Sequence, residues 1–438
     1  MKRFLRCTAA TVAIASAIGS GSAALAATEI ADPAAPVDYT GTLTVLTKFG
    51  MQRLSPYFTD LAKAYEGLHP GVKIELIQEN DDSIKGKTKT LVAANAVPDV
   101  YFSWTGTWGG NFVRGKRAVD LTPVVGPDTD WGKTFAPAAA KAFVYDGKYY
   151  GIPLYLDAKF MGYNKKIYAD LGLSEPVDLE DMLASCAKIK AAGYTAISFG
   201  NKEPWAGLHY IGQLLAYNVP ETVLEQDFEP KTAAYTDPGY VAALTQFKQI
   251  VDQCTIGADV NGISYQTAIQ DLSDGKSAMY YQEILEFDSS ATTDTVLKPD
   301  QFGFFPLPAP KNAKGDAKSL EGAPEGYMIS QASKNVPLAL DFMKFVTQQA
   351  HARVLSAPPY GQPSAVIGGY QADEINPAVA DGLAQIAQAS YMIQWLDTVN
   401  HPRVAAAWLA AGQAFIGGSM TAEQVMAEVR KAATAAAK

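Results

Sequence analysis

Three β-rich runs decide the fold: LTVLT at 43–47, VKIELIQ at 72–78 and VYFSW at 100–104. Each run is rich in the β-branched, aromatic and other apolar residues that favour strands. The two stretches between the runs carry apolar residues at helical spacing. Strands that alternate with helices predict an α/β fold, with a parallel sheet covered by helices on both faces.

Both intervening stretches have start and stop signals of helices. Ser55 is predicted to cap the first helix, with Pro56 as its first residue, and the glycines and proline within 67–71 end it. The second helix is predicted over 83–94, since Pro98 prevents a longer one. The stretch 43–104 is therefore expected to form strand, helix, strand, helix and strand in turn.

Ligands bind parallel sheets where the strands end. The loops that follow the three runs are therefore the expected ligand loops. They span 48–53, 79–83 and 104–110. Lys48 and Gln52 lie in the first loop and Glu79 lies in the second. Their position makes them candidate ligand groups, although polar residues of exposed loops are commonly only hydrated.

Length and charge bound the class of protein. The chain has 438 residues, 48% of them hydrophobic, which is too long for one ordinary domain and predicts two lobes. The formal charge is -9, and it becomes -12 without Lys2, Arg3 and Arg6. A chain this acidic is a poor candidate for binding nucleic acid or an anionic membrane.

The N-terminus is typical of an exported protein. A basic start precedes an apolar run of small residues at 9–26, which ends in the A-x-A-like site Ala24-Leu25-Ala26. A membrane anchor is the alternative, but glycines interrupt the run. We therefore expect a signal peptide at 1–26, a flexible leader at 27–39 and a periplasmic mature protein. Cys7 lies too early for lipid attachment near that site.

Two cysteines remain after the predicted cleavage. Cys186 falls on a predicted helix at 179–191, and Cys254 directly follows the predicted helix at 238–253. Export makes a disulfide chemically possible, and two buried free thiols are the alternative. The sequence does not supply the Cα distance that decides between them.

Motifs along nearly all of the mature chain point to one family. In chain order they are PDVYF at 98–102, GIP at 151–153, YNK at 163–165, KIKAAGY at 188–194, GKSAM at 275–279, FGFFP at 302–306, the glycine-rich segment 322–330 and the helix at 339–346. Each motif alone is weak, but their order and spacing are specific. The chain resembles the extracellular solute-binding proteins of carbohydrate ABC importers, the group that includes the maltose-binding protein.

The resemblance implies a two-lobe periplasmic-binding-protein fold, with a ligand cleft between the lobes and hinge segments that cross between them. We assign 40–149 with 304–350 to the N-terminal lobe and 150–303 with 351–438 to the C-terminal lobe. The resemblance also implies a monomer without cofactor or metal. Such a protein binds a carbohydrate, closes around it and presents it to a membrane permease without performing chemistry.

Candidate site residues follow from loop position and from the resemblance. Sugars need carboxylates or amides for their hydroxyl groups and aromatic faces for their C–H surfaces. The candidates beyond the first two loops are Trp104, Thr107, Trp108, Asp157, Glu203, Trp205, His209, Gln282, Glu283, Tyr360 and Trp408. The family often has a glycine and a tryptophan after its GKxAM strand. Here Gln282 and Glu283 follow instead and are expected to supply hydrogen bonds.

Several candidates have a plain structural alternative. Trp104 and Trp108 can pack on a lobe surface, Asp157 can pair with Lys159, and Glu203 can start a helix. His209 lies one turn after Trp205, yet a single histidine is more often structural. Tyr360 is expected to close over the ligand. Trp408 can equally belong to the core of its helix, and Trp395 is interpreted as core.

Two other functions stay open at this stage. An exported polysaccharide hydrolase or lyase would need an acid and base pair, for which Asp157 and Glu203 are the candidates. The sequence contains neither GxSxG nor HExxH, and its four histidines are scattered. The same fold can also bind a polyol phosphate, a peptide or a metal chelate. An anion would need clustered basic residues, and Arg114, Lys116 and Arg117 are predicted on a solvated helix instead.

Overall fold

The computed structural model describes residues 33–438, so the predicted signal peptide and the start of the leader lie outside the described residues. Eleven strands lie in the described part: β1 (Gly41–Thr47), β2 (Val72–Gln78), β3 (Val100–Ser103), β4 (Val144–Tyr145), β5 (Lys148–Tyr149), β6 (Ile152–Asn164), β7 (Thr195–Ser198), β8 (Ser277–Glu283), β9 (Phe302–Phe305), β10 (Leu320–Ile329) and β11 (Met392–Ile393).

The α-helices of residues 33–438 are α1 (Ser55–Leu68), α2 (Asp81–Ala93), α3 (Gly106–Arg114), α4 (Thr122–Val125), α5 (Pro137–Lys141), α6 (Lys165–Asp170), α7 (Leu179–Ala191), α8 (Trp205–Asn218), α9 (Glu221–Phe228), α10 (Gly239–Cys254), α11 (Tyr265–Ser273), α12 (Phe287–Ser290), α13 (Val336–Val346), α14 (Gln349–Ser356), α15 (Pro377–Gln388), α16 (Leu396–Val399), α17 (Pro402–Ile416) and α18 (Ala422–Ala436). None of the helices in this part of the chain combines the length and apolar character needed to cross a bilayer.

The three β-rich runs form the predicted parallel strands. β1 pairs in parallel with β2 on one side and with β3 on the other. The main sheet continues in the order β2-β1-β3-β10-β6-β8-β7, and β10 runs antiparallel to both β3 and β6. The sheet is therefore mixed rather than purely parallel, because β10 enters it from a distant part of the chain and in the opposite direction.

The starts of the first two helices differ from the sequence prediction. Ser55 is the first residue of α1, Leu54 holds the cap position and no side chain caps the helix. The amides of Leu54 and Ser55 instead donate to the carbonyl of Met51, so a backbone turn leads into the helix. α2 starts earlier than predicted because Asn80 caps it and Ser83 completes the reciprocal capping box.

Strand β6 connects the two halves of the sheet. Its first part pairs with β10, and its last part pairs with β8 and β9. One large apolar cluster packs around β1, β3 and α13, and a second packs around α8, α10 and α17. Because β6 contributes residues to both clusters, its pairing fixes how the two halves meet. The lobe boundaries stated above remain a prediction.

Cys186 on α7 and Cys254 at the end of α10 form a disulfide. Their Cα atoms lie 5.2 Å apart, within the range that a disulfide spans. Both cysteines are completely buried in the second apolar cluster. The bond therefore joins two helices that also pack together through apolar side chains.

Candidate functional site

The floor of the candidate site is one face of the sheet. Alternate residues of β6 point to this face, among them Tyr155, Asp157 and Lys159. The register places Glu325 of β10 beside Tyr155, and Glu283 of β8 beside Lys159. Acidic and basic side chains of three strands therefore meet at the point where β6 passes between the two halves of the sheet.

A narrow cavity lies above this floor. Its lining consists of Lys48, Asp81, Lys85, Trp104, Trp205, His209, Glu283, Glu325, Trp395 and Asp397. The cavity volume is about 30 Å³. Because a space of this size holds on the order of one water molecule, a ligand as large as a sugar requires the walls to separate.

Lys48 follows β1 and forms the centre of one wall. Its ammonium lies 2.6 Å from the Glu325 carboxylate and 3.0 Å from that of Asp81. It also lies 5.9 Å from the ring centroid of Trp104. Burial disfavours the charge of Lys48, but the carboxylates of Asp81 and Glu325 outweigh burial and raise the pKa of Lys48 well above its ordinary value. Lys48 is therefore a cation that is held in place by its partners.

Lys159 has the corresponding position on the other side of the floor. Its ammonium lies 3.4 Å from the Glu283 carboxylate and 5.7 Å from the centroid of the Trp205 ring. Burial opposes ionisation of Glu283, but Lys159 and Lys48 outweigh it and lower the pKa of Glu283. Glu283 is consequently an ionised hydrogen-bond acceptor that faces the cavity.

Asp157 lies between these two charged groups and is 1% exposed. Neither of its carboxylate oxygens accepts a hydrogen bond from a donor within residues 33–438. Burial raises the pKa of Asp157 well above its ordinary value, and the charges of Glu283 and Glu325 add to this effect. Burial therefore favours the protonated form of Asp157, which can donate to the neighbouring Glu283 carboxylate.

His209 lines the cavity and lies against the buried carboxyl group of Glu321. The Nδ1 atom of His209 lies 3.3 Å from the Glu321 carboxylate, but the geometry is not that of a hydrogen bond. Burial, together with Lys159, lowers the pKa of His209 well below its ordinary value. Burial also raises the pKa of Glu321 well above its ordinary value. Burial therefore favours the neutral form of both side chains.

Tryptophan side chains supply the aromatic surface of the cavity. Trp104 and Lys85 lie on one side, where the Lys85 ammonium is 4.7 Å from the centroid of the Trp104 ring. Trp205 and Trp395 also line the cavity, and each packs edge to face against His209. The Lys85 ammonium also pairs with Asp397. The cavity thus combines aromatic faces with charged hydrogen-bonding groups.

Five of the sequence-predicted residues meet in this cavity: Lys48, Trp104, Trp205, His209 and Glu283. Asp157 lies in the floor between them. Gln282 is completely buried, and its amide oxygen accepts a hydrogen bond from Ser290. Because side chains alternate along β8, Gln282 points to the opposite face of the sheet from Glu283. Gln282 therefore supports the strand rather than lining the cavity.

The loop candidates Gln52, Glu79, Thr107 and Trp108 lie outside the cavity lining. Gln52 is exposed, and the Glu79 carboxylate lies 3.8 Å from the Lys87 ammonium. Thr107 and Trp108 fall on α3, because the strand ends at Ser103 and the helix begins at Gly106. Trp108 packs behind Trp104, with its ring centroid 5.3 Å away, and faces a neighbouring groove.

Glu203, Tyr360 and Trp408 also have other partners. The Glu203 carboxylate accepts a hydrogen bond from the backbone amide of Tyr265, so it fixes the turn before α8. The Tyr360 ring packs edge to face on Tyr57. Trp408 is 0% exposed and belongs to the second apolar cluster, because the apolar face of α17 packs against α8 and α18.

The cavity also contains residues that the sequence did not single out: Asp81, Lys85, Glu325, Trp395 and Asp397. Asp81 lies in the predicted ligand loop 79–83. Trp395 was interpreted as core, and it is indeed 3% exposed although it lines the cavity. Glu325 and Asp397 come from distant segments that carry no local motif. Their position depends on strand pairing and on helix packing.

The comparisons with known proteins agree with this architecture. The family model described as bacterial extracellular solute-binding protein matches residues 51–352. The diacetylchitobiose-binding protein of Streptomyces coelicolor is 25% identical over 304 residues, which is 68% of each chain. A maltooligosaccharide ABC transporter solute-binding lipoprotein of Streptococcus pneumoniae is 26% identical over 316 residues, covering 71% of this chain and 70% of the relative.

Solved structures share the fold over most of the chain. A chitin oligosaccharide-binding protein superposes with a TM-score of 0.83 at 21% identity, over 91% of this chain and 100% of its own. A maltose-bound protein of T. maritima superposes with a TM-score of 0.74 at 16% identity, over 89% and 98% of the two chains. These similarities confirm the predicted α/β fold with two lobes and a cleft between them.

Proposed function

This chain belongs to the bacterial extracellular solute-binding protein family, and from that premise we propose that it captures a carbohydrate in its interlobe cleft and delivers it to the membrane permease of an ABC importer. Relatives that bind diacetylchitobiose and maltooligosaccharides support a sugar ligand. In this proposal the protein is exported after cleavage near Ala26 and acts as a monomer.

The observation that carries the proposal is the pairing of aromatic faces with charged acceptors and donors in one cleft. Trp104 and Trp205 can each cover the C–H face of a pyranose ring. Glu283 and Lys48 can bind adjacent hydroxyl groups, because one accepts and the other donates hydrogen bonds. A few polar groups within an aromatic lining are what orients a small ligand.

The proposal includes closure of the two lobes around the sugar. Lys48 and Trp104 follow strands of the first half of the sheet, whereas Trp205 follows β7 in the second half. A sugar that contacts both walls binds the closed form more strongly than the open form, and therefore shifts the population toward closure. The permease would then recognise the closed form.

We propose binding without catalysis. A glycosidase needs two carboxyl groups on either side of the bond that it cleaves. Glu203, the expected partner of Asp157, accepts a hydrogen bond from the Tyr265 backbone and does not line the cavity. Asp157 is buried in the floor. These positions support a receptor rather than a hydrolase, and the absence of new reducing ends after incubation with oligosaccharides is the expected result.

A thermal-shift screen of the mature protein against mono- and oligosaccharides tests the proposal. A ligand at 100 times its dissociation constant stabilises the folded protein by about 2.7 kcal/mol, which gives a clear rise in melting temperature. We expect at least one sugar to produce this rise. A rise with phosphorylated polyols or peptides, and none with any sugar, would contradict the carbohydrate proposal.

A further inference from the structure

A second, larger cavity opens beside the cleft. It is a groove between α2, α3 and α17, and its volume is about 450 Å³. Apolar side chains form much of its surface, including Val92, Phe112, Ala405, Ala406 and Leu409. We call it the apolar groove. Its composition differs from that of the cleft, where charged groups and tryptophans dominate the lining.

The apolar groove adjoins the cleft. Lys85 and Asp397 line both cavities, and their ion pair stands between them. Trp104 and Trp108, which pack edge to face, present one ring to each cavity. Lys85 carries its charge on a flexible stem and its side chain is 27% exposed, so it can move aside. A ligand held in the cleft can therefore reach into the groove.

The neutral polar groups of the apolar groove are poorly available to a further sugar ring. Asn400 donates to the carbonyl of Leu396, and Thr398 donates to that of Trp395. Asn111 accepts a hydrogen bond from Arg114. The hydroxyl group of Thr88 and the indole nitrogen of Trp108 have no partner within residues 33–438, but both atoms are buried. Lys85, Lys89, Arg117 and Asp397 could bind a few hydroxyl groups of a pyranose ring, but the apolar side chains that form much of the surface offer none a partner.

We propose that the apolar groove receives an apolar group attached to the bound sugar, so that the preferred ligand is a glycoside with an aryl aglycone. This inference rests on the proposed function, because the sugar must occupy the cleft. The aryl ring gains affinity by leaving water for the surface formed by Val92, Phe112 and Leu409. Lys89 and Arg117 also line the groove, and their charged ends can bind a polar substituent on the ring.

Paired methyl and phenyl glycosides of glucose, galactose, xylose and N-acetylglucosamine test this inference by titration calorimetry. For the sugar that binds, we expect the phenyl glycoside to bind about tenfold more tightly than the methyl glycoside. The variant Ala406→Trp fills the groove from an exposed position of α17. In this variant the phenyl glycoside should no longer bind more tightly than the methyl glycoside, while the methyl glycoside keeps its affinity.

Ala410→Trp is the matched control, because Ala410 is exposed on the same helix but does not line the groove. It should keep the tenfold gain. Equal affinity of the two glycosides in the unchanged protein would overturn the inference and leave the proposed function intact. A higher affinity for the phenyl glycoside that persists in Ala406→Trp would also overturn the inference. So would a higher affinity that only longer oligosaccharides show. Failure of every glycoside and every oligosaccharide to bind would overturn the proposed function as well.

Discussion

The ammonium of Lys48 lies 2.6 Å from the carboxylate of Glu325, although the two side chains are only 6% and 2% exposed. The hydroxyl group of Tyr155 donates to the same carboxylate at 2.6 Å. Two buried charges are stable only when each keeps its partner, because removal of one leaves the other without compensation in a poorly hydrated place. Lys48 and Glu325 both line the cavity, so residues of the candidate site also contribute to the stability of the protein.

The first prediction concerns Lys48→Met. Loss of the ammonium should lower the free energy of unfolding by about 3 kcal/mol at pH 8. Burial already raises the pKa of Glu325, and without Lys48 that carboxyl group can take up a proton. In this variant, Glu325 destabilises the fold at a pH at which it is ionised, because it has lost its partner, but not at a pH at which it is protonated. The loss of free energy of unfolding should therefore be smaller at pH 5 than at pH 8.

Urea unfolding at the two pH values measures this difference. Lys166→Met is the matched control, since Lys166 forms an exposed ion pair with Asp170. Such pairs contribute about 1 kcal/mol or less, so this variant should stay close to the unchanged protein at both pH values. A loss for Lys48→Met that is equally large at pH 5 and pH 8 would contradict the assigned role of Glu325.

The second prediction concerns Trp205. Trp205→Ala removes an aromatic wall of the cleft while the buried part of α8 stays in place. The dissociation constant of the sugar identified by the screen should rise by a factor of about 30 or more, because stacking on a ring commonly contributes about 2 kcal/mol. Titration calorimetry measures the change.

Tyr360→Ala is the control for Trp205→Ala. Tyr360 is also a half-buried aromatic residue, but its ring packs on Tyr57 and does not line the cavity. Its removal should change the dissociation constant of the sugar by no more than about twofold, which corresponds to less than about 0.6 kcal/mol. Equal losses in both variants would indicate a general disturbance of the fold, and a larger loss for Tyr360→Ala would place the ligand elsewhere.

The sequence allowed prediction of those site residues that lie next to a regular element. Lys48 follows β1 and Trp104 follows β3, so strand periodicity placed both at the ends of strands. Trp205 lies at the start of α8 and was reached through the family resemblance. In these cases the local pattern fixes the position of the side chain within one or two residues.

Other positions depend on contacts between distant segments. Glu325 reaches the cavity because β10 pairs antiparallel with β6, and Asp397 reaches it because α16 packs against α3 and α8. No local pattern contains that pairing. Trp408 was a candidate for the cleft but lies in the core. Its helical spacing suits both positions equally, and only packing decides between them. Asn80 likewise caps α2 through a side-chain hydrogen bond that spacing alone did not reveal.

The third prediction concerns the disulfide between Cys186 and Cys254, which are 68 residues apart. Closing a loop of this length restricts the unfolded chain and is expected to stabilise the protein by about 4 kcal/mol. Reduction, or the double variant Cys186→Ser with Cys254→Ser, should lower the denaturant midpoint accordingly. Peptide mapping without reduction should yield one linked peptide that contains both cysteines, and two separate thiol peptides would contradict the pairing.

The fourth prediction concerns Glu286, which is 8% exposed and accepts a hydrogen bond from the backbone amide of Glu283. Burial raises the pKa of Glu286 to about 8, although the charge of Lys159 opposes the increase. In the unfolded chain a glutamate ionises near pH 4.3. At a pH between the pKa of the unfolded chain and that of the folded protein, folding therefore takes up a proton at Glu286. The free energy of unfolding accordingly falls as the pH rises through this range.

Glu286→Gln should consequently be more stable than the unchanged protein by about 5 kcal/mol at pH 8 to 9, and by only about 1 kcal/mol near pH 5. The glutamine oxygen can still accept the hydrogen bond from Glu283, so the neutral shape is kept. Glu428→Gln on the exposed side of α18 is the control and should show no such dependence on pH. Denaturant unfolding between pH 5 and pH 9 measures all three proteins. Parallel curves for the unchanged protein and Glu286→Gln would contradict the prediction, because they would mean that Glu286 ionises as readily in the fold as in the unfolded chain.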